Sequence, residues 1–134
     1  MITADSSVWI DYFNGQDTPQ VRALDAALDD STNEIVLLDV VHMEVLRGFR
    51  HDREYEYARQ ALAPLPVEPA GGKDVAQHAA ALYRRLRGHG ITVRSSIDLL
   101  VGAWCIRNEC LLIHADRDFA GMEQIEGLQA WQPH

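Results

Sequence analysis

The sequence has few cysteines, a single lysine and no long hydrophobic run. Its two cysteines, Cys105 and Cys110, form no CxxC motif, so we expect buried, reduced thiols rather than a zinc site or a disulfide framework. No apolar run approaches the ~20 residues of a membrane span, and the first residues lack the basic and apolar segments of a signal peptide. These absences predict a cytoplasmic protein that does not enter a membrane, and one in which any metal is held by oxygen.

Acidic residues outnumber basic ones. There are 20 Asp and Glu against 12 Lys and Arg, a formal net charge of −8, which by itself argues against a nucleic-acid partner. All the basic residues except Lys73 are arginines, however, and the planar guanidinium group suits phosphate well. A length of 134 residues with 47% hydrophobic content predicts one globular domain over residues 1–134.

Short apolar segments alternate with helical patterns along the chain. We predict strands near residues 1–4, 35–38, 65–68, 110–113 and 128–131, and helices near residues 6–13, 19–28, 39–51, 53–62, 74–87 and 97–107. The run at residues 35–38 is continuously apolar, as in a strand buried on both faces. This alternation predicts a layered α/β fold with a mostly parallel sheet and right-handed crossovers.

Four acids stand where strands end or helices begin. Asp5 and Asp116 directly follow predicted strands, whereas Glu44 and Asp98 lie on otherwise apolar helix faces. Strand ends that feed helices share one edge of a parallel sheet, so the four carboxylates are expected to converge there. The simpler explanations are helix capping for the loop acids and a buried arginine ion pair for the helical ones.

Two buried acids that face the same edge favour a cation over these explanations. An unpaired buried carboxylate costs roughly several kcal/mol, so it pairs, takes up a proton or binds a cation. Oxygen ligands with room for water suit Mg²⁺ or Mn²⁺. Such a site predicts hydrolysis of a phosphodiester by water, without a protein nucleophile.

Four segments together resemble a known family. They are residues 5–12 (DSSVWIDY), 44–48 (EVLRG), 98–103 (DLLVGA) and 116–119 (DRDF). In order, spacing and total length, the chain resembles the PIN-domain ribonucleases, and in particular the VapC-type toxins of bacterial toxin–antitoxin pairs. The resemblance implies a three-layer α/β/α sandwich and an endoribonuclease that depends on Mg²⁺, with Mn²⁺ as a substitute.

The resemblance also implies roles for individual residues. Asp5 and Asp98 would be the central metal ligands, Glu44 would complete the acidic group and position the attacking water, and Asp116 would act directly or through water. The supporting residues would be Ser6 or Ser7, which orient Asp5 or a phosphate, and Asp118, an outer acid. His114 stands where the family commonly has Thr or Ser, and either a structural role or an altered specificity would explain it.

The implied partners are an RNA substrate, a cognate antitoxin protein and a second copy of the chain in a homodimer. Single-stranded RNA loops are the expected target, because their bases are exposed. Phosphate contacts are predicted for Arg47, Arg50 and Arg94. Aromatic residues are candidates for the antitoxin surface, although helical spacing fits a core equally well; they are Trp9, Tyr12, Phe13, Phe49, Tyr55 and Tyr57.

Two other functions fit parts of the sequence. A catalytically silent module of the same fold, which binds RNA or protein, would be expected to lack one or more of the acids, and none is missing. A phosphoryl-transfer or phosphatase domain also gathers acids at a sheet edge. That class usually needs a lysine at a strand end, whereas Lys73 follows a glycine-rich loop.

Overall fold

The structure, a computed structural model that describes residues 1–133, is a helix-rich α/β fold. His134, the last residue of the predicted domain, lies outside the described residues. The strands are β1 (Ile2–Ala4), β2 (Leu37–Leu38), β3 (Val67–Glu68) and β4 (Leu111–Ile113). The helices are α1 (Ser6–Phe13), α2 (Pro19–Asp29), α3 (Asp39–Arg47), α4 (Asp52–Leu62), α5 (Lys73–Gly88), α6 (Ser96–Asn108) and α7 (Ala120–Glu126), with a 3-10 helix at Arg117–Phe119.

The strands are parallel and lie in the order β3-β2-β1-β4. β1 pairs with β4 so that Ala4 lies opposite Ile113, and β2 pairs with β3. A parallel bridge between Ile2 and Ile35 connects the two pairs. Because β1 and β4 run side by side in the same direction, the residues that follow them emerge at the same edge of the sheet.

The core lies between the strands and the helices that cover them. Both residues of β2 are fully buried, as the continuous apolar run predicts. The largest fully buried side chains come from the strands and from the helical segments around them; they include Trp9, Leu24, Leu37, Leu38, Leu82, Leu86, Leu112, Ile113, Phe119 and Met122. Packing on this core fixes the helix starts that carry the acids.

Three local expectations differ from the structure. α3 ends at Arg47 rather than near residue 51, because the Gly48 N–H donates to the carbonyls of Glu44 and Val45 and closes the helix. The expected strand at residues 128–131 is reduced to one parallel bridge between Ala130 and Leu112. Asp39 is the first residue of α3 rather than its N-cap, and its Oδ1 accepts from the N–H groups of Val40 and Ala70.

Across residues 1–133, no helix has both the length and the apolar character needed to cross a bilayer.

Candidate metal centre

Asp5 is held at the end of β1 by its backbone. Its N–H donates to the carbonyl of Ile113 at 2.9 Å, which fixes the end of β1 beside the end of β4. Asp5 occupies the N-cap position of α1, yet its side chain makes no capping hydrogen bond. The residue is only 3% exposed, and Ser7 Oγ donates to its Oδ2 at 3.3 Å. Its other oxygen, Oδ1, has no hydrogen-bond partner among the residues the structure describes.

Asp98 lies in the first turn of α6 and is 7% exposed. Capping of this helix is done by Ser95, whose Oγ accepts from the Asp98 N–H at 3.2 Å. The Asp98 carboxylate is therefore not needed for capping. It lies on the face of α6 that the buried residues Val101, Gly102 and Cys105 share.

Asp116 and Asp118 are arranged by a tight turn after β4. Asp116 Oδ1 accepts from the Asp118 N–H at 2.9 Å and so caps the 3-10 helix. The simpler explanation of the loop acids, helix capping, therefore also applies to Asp116. One carboxylate oxygen from each of Asp98, Asp116 and Asp118 lies within 4.8 Å of the others. Three acids from two separate elements therefore face a common point.

Glu44 contributes a fourth element to this region. It lies in the middle of α3 and is half-buried. Its Oε1 is buried and unpartnered within residues 1–133. Neither Glu44, Asp5 nor Asp98 forms an ion pair with an arginine in the described part of the chain. A buried arginine ion pair therefore does not explain these acids.

The carboxylates repel one another across the centre. Burial raises the pKa of Asp98 to about 7, and the charges of Asp5, Asp116, Asp118 and Glu44 act in the same direction. Burial also raises the pKa of Asp5. The charges of Glu44 and Asp116 act in the same direction, whereas the nearby Ser6 backbone N–H and the hydrogen bond from Ser7 lower the pKa. These mutual effects place all five acids in one electrostatic cluster.

A hard divalent cation fits this donor set. The ligand atoms are carboxylate oxygens, two of them buried without hydrogen-bond partners in residues 1–133. A cation would supply the missing partner and would offset both the burial and the mutual repulsion that raise the pKa values of Asp5 and Asp98. Asp5, Asp98, Asp116 and Asp118 are the residues best placed to hold it, with Glu44 beside them.

Of the other predicted residues, the serines and His114 lie next to the acids, whereas the three arginines are exposed and have no ion-pair partner in residues 1–133. Ser7 contacts Asp5, and His114 contacts the Asp116 turn, since its Nδ1 accepts from the Asp116 N–H at 3.2 Å. Ser6 is half-buried next to Asp5, and its backbone N–H lowers the pKa of Asp5. The exposed arginines Arg47, Arg50 and Arg94 form no ion pair within residues 1–133.

Two further residues join the centre that the sequence analysis did not identify. Glu123 Oε2 lies 3.1 Å from His114 Nε2, and Gln132 Nε2 donates to Glu123 Oε1 at 2.8 Å. Glu123 lies in a segment for which the sequence predicts neither a helix nor a strand, and Gln132 belongs to no periodic segment. The sequence therefore offers no signal for either residue.

Comparison with known proteins identifies relatives along almost the whole chain. The pattern of the PIN domain family matches residues 2–124. A VapC ribonuclease of Mycobacterium bovis and Ribonuclease VapC11 of Mycobacterium tuberculosis are each 30% identical over 130 residues, which is 97% of this chain and 97% of theirs.

Solved structures have the same fold. VapBC2 from Rickettsia felis, bound to a DNA fragment from its promoter, superposes with a TM-score of 0.73 at 16% identity, covering 98% of this chain and 100% of that one. FitAcB from Neisseria gonorrhoeae superposes with a TM-score of 0.74 at 18% identity, covering 99% and 98%. At these identities the superpositions establish the fold alone.

Proposed function

The chain belongs to the PIN-domain family, and from this premise we propose that it is a metal-dependent endoribonuclease, the toxin of a VapC-type toxin–antitoxin pair. Its full-length relatives are VapC ribonucleases at 30% identity. The observation that carries the proposal is the buried carboxylate of Asp5, whose Oδ1 has no hydrogen-bond partner in residues 1–133, beside the cluster of Asp98, Asp116 and Asp118. A silent binding module would have no use for such a costly arrangement.

We propose Mg²⁺ as the physiological cation, with Mn²⁺ as a substitute. Asp5 and Asp98 would be its central ligands, and Asp116 and Asp118 would bind it directly or through water. Once bound, the cation would neutralise phosphate charge and lower the pKa of a coordinated water. All the donor atoms are oxygens, and the site has a buried side at Asp5 and Asp98 and an exposed side at Asp116 where water can bind. Both features support this choice.

The side chains around the cation divide the remaining work. Ser7 Oγ, which donates to Asp5 Oδ2, holds the Asp5 carboxylate in one orientation. Glu44 Oε1 has no partner in residues 1–133 and is therefore available to accept a hydrogen bond from the attacking water. Burial of Asp5 and Asp98 excludes bulk water from one side of the centre, which strengthens each electrostatic contact.

RNA would be held by arginines outside the acidic cluster. Arg47, Arg50 and Arg94 are exposed and unpaired within residues 1–133, so their guanidinium groups are available to phosphates. Replacement of all three by alanine should weaken RNA binding and reduce the slope of log affinity against log salt by up to about 3. An unchanged affinity and slope would remove these residues from the RNA surface.

The antitoxin would bind at an aromatic groove between the C-terminal end of α1 and the N-terminal half of α4. This groove, of about 220 Å³, is lined by Phe13, Phe49, Arg53, Glu54 and Tyr57. Tyr57 is 69% exposed, and Phe13 meets the rings of Phe49 and Tyr57 edge-on at 5.8 and 6.2 Å. Phe13 and Phe49 are half-buried, so Tyr57 is the exposed member of this aromatic group. Accessible aromatic side chains around a concave surface are typical of a protein-binding site.

The same proposal covers the remaining properties of the chain. Residues 1–134 form one nuclease domain, and two copies of it form the homodimer. Both cysteines are free and buried thiols, as suits a reducing compartment. We accordingly propose that the protein acts in the cytoplasm, where its RNA substrate is found.

Cleavage of total bacterial RNA by the purified chain, free of antitoxin, tests the function. Reactions would contain Mg²⁺, Mn²⁺ or EDTA, and the cut ends would be mapped. We expect metal-dependent cuts at discrete sites that are lost in Asp5→Asn and in Asp98→Asn. Asp25→Asn, which removes an exposed charge from α2, is the matched control and should cleave as wild type does.

Two outcomes would contradict the proposal. Cleavage that survives in both Asp5→Asn and Asp98→Asn would point to a contaminating nuclease. A folded wild-type chain that neither cleaves RNA nor binds either metal by calorimetry would instead indicate the silent binding module.

A further inference from the structure

His114 lies inside a chain of hydrogen bonds at the edge of the metal centre. Its Nδ1 accepts from the Asp116 N–H at 3.2 Å, and its Nε2 lies 3.1 Å from Glu123 Oε2. Gln132 holds the second oxygen of Glu123 at 2.8 Å. The imidazole also packs on the ring of Phe119, with 4.8 Å between centroids. Both ring nitrogens of His114 thus have a partner, and the ring packs on Phe119.

This arrangement determines which imidazole nitrogen carries the proton. A backbone N–H can only donate, so Nδ1 must present a lone pair to Asp116. A carboxylate can only accept, so Nε2 must carry the hydrogen that faces Glu123. The two partners therefore select the same neutral tautomer, in which the ring accepts on one side and donates on the other.

The hydrogen bond from the Asp116 N–H to His114 closes the first of two successive turns. His114 accepts from the residue two positions on, and Asp116 Oδ1 in turn accepts from the N–H of Asp118, again two positions on. Turns of this side-chain-to-backbone kind orient the chain that follows them. Here the chain that follows carries two of the three carboxylates that lie within 4.8 Å of each other.

We propose that His114, held by Glu123, is a positioning residue that orients the Asp116–Asp118 turn for cation binding. It does not touch the cation or take a proton from the substrate. The inference rests on the proposed function, because it assigns His114 to the metal centre of the nuclease. An imidazole suits this task because it can accept from the turn and donate to Glu123 at the same time.

Mn²⁺ affinity of the metal-free chain, measured by calorimetry, is the principal test. His114→Leu removes the acceptor and keeps an apolar contact with Phe119, and it should weaken Mn²⁺ binding by about 10- to 100-fold, as expected for a partner of a metal ligand. His114→Asn retains an acceptor for the Asp116 N–H and should restore affinity to within about threefold of wild type. His78→Leu, a half-buried histidine of α5, is the matched control and should bind as wild type does.

The imidazole nitrogen shifts of the protein in EDTA give a second readout that requires no metal. For His114 we expect one unprotonated nitrogen at Nδ1 and one protonated nitrogen at Nε2, because these are the forms that the Asp116 N–H and the Glu123 carboxylate select. Unfolding in EDTA measures the stability of each variant in the absence of metal. A positioning role predicts that His114→Asn keeps its metal affinity whatever its stability, whereas a merely structural role predicts that affinity follows stability. If His114→Leu does not fold, Glu123→Ala replaces it and should weaken Mn²⁺ binding by at least about threefold.

The outcomes separate the two proposals. Wild-type Mn²⁺ binding that His114→Leu or its replacement leaves unchanged would overturn the positioning role alone. Failure of His114→Asn to restore affinity, or a protonated Nδ1, would overturn it as well. A wild-type chain that binds no Mn²⁺ and cleaves no RNA would overturn the nuclease, and with it the inference.

Discussion

Met122 Sδ lies so close to the backbone of Gly102 that a Cβ built on this glycine would stand 2.2 Å from it. Met122 is fully buried in α7, and Gly102 lies one helical turn beyond Asp98 on α6. Absence of a side chain at residue 102 therefore allows α7 to pack directly on α6. The contact fixes the helix that presents Asp98 relative to the segment that follows Asp116 and Asp118.

Gly102→Ala should destabilise the protein even though alanine favours helix. The methyl group would overlap a buried sulfur atom, and overpacking typically costs about 1–3 kcal/mol, more than the gain of about 1 kcal/mol in helix propensity. Urea unfolding measures the loss, and Met122→Leu in the same chain should recover part of it. Gly88→Ala, where a Cβ meets nothing within 4 Å, is the control; an equal loss at both positions would exclude the steric explanation.

Asp98→Asn should stabilise the metal-free protein at alkaline pH. The folded pKa of Asp98 is raised to about 7, against about 3.9 for an unfolded aspartate. The folded chain therefore binds more protons than the unfolded chain between these values, and wild-type stability falls as pH rises through that window. The difference between these two pKa values corresponds to about 4 kcal/mol, which solvent screening at this partly open site reduces. We therefore expect the variant to exceed wild type by about 2 kcal/mol at pH 8 and to match it at pH 4.

Bound metal should reverse the order of stability of wild type and Asp98→Asn, and this reversal provides the control. In EDTA, thermal unfolding should place Asp98→Asn above wild type at pH 8. Saturating Mn²⁺ should raise the unfolding temperature of wild type and leave the variant nearly unchanged, because ligand binding stabilises only the chain that binds it. A wild type that is more stable than Asp98→Asn in EDTA at pH 8 would mean that the carboxylate is already compensated without a cation.

The acidic centre could be predicted because its members break a pattern. Glu44 and Asp98 stand out as acids on apolar helix faces, and Asp5 stands out because a strand leads directly into it. The networks that hold these acids gave no such signal. Glu123 reaches His114 from α7, and Gln132 reaches Glu123 from the chain terminus, so both contacts depend on tertiary packing rather than on local spacing.

The fold shows the same division between local and long-range information. The buried strand β2 and the two longest helices, α5 and α6, follow from apolar runs and helical periodicity. The conformation of the turn after α6 does not, because Glu109 adopts the left-handed conformation (φ 50°) in which glycine is usual. The Cys110 N–H closes that turn on the Cys105 carbonyl at 3.0 Å. The segment at residues 128–131 looked like a strand, yet only Ala130 bridges to β4.

Two variants of Asp116 should separate its charge from its role in the turn. Asp116→Asn keeps an oxygen for the Asp118 N–H and removes a charge that repels Asp5 and Asp98, so we expect a stability in EDTA at least equal to that of wild type and weaker Mn²⁺ binding. Asp116→Ala removes both, so it should also lose about 1 kcal/mol of stability. Calorimetry and urea unfolding make the comparison. Equal metal affinity in wild type and Asp116→Asn would remove Asp116 from the ligand set.

Tyr57→Ala should weaken antitoxin binding without affecting RNA cleavage. Its ring is 69% exposed, lines the aromatic groove and meets Phe13 edge-on. Truncation of an aromatic residue at the centre of an interface typically costs more than about 1.4 kcal/mol, or tenfold in affinity. Titration with the cognate antitoxin measures the loss, and Tyr55→Ala, an exposed tyrosine of α4 outside the groove lining, should bind normally.

If both variants bind the antitoxin as wild type does, the antitoxin contacts another surface. If Tyr57→Ala also slows cleavage, the groove serves the RNA instead.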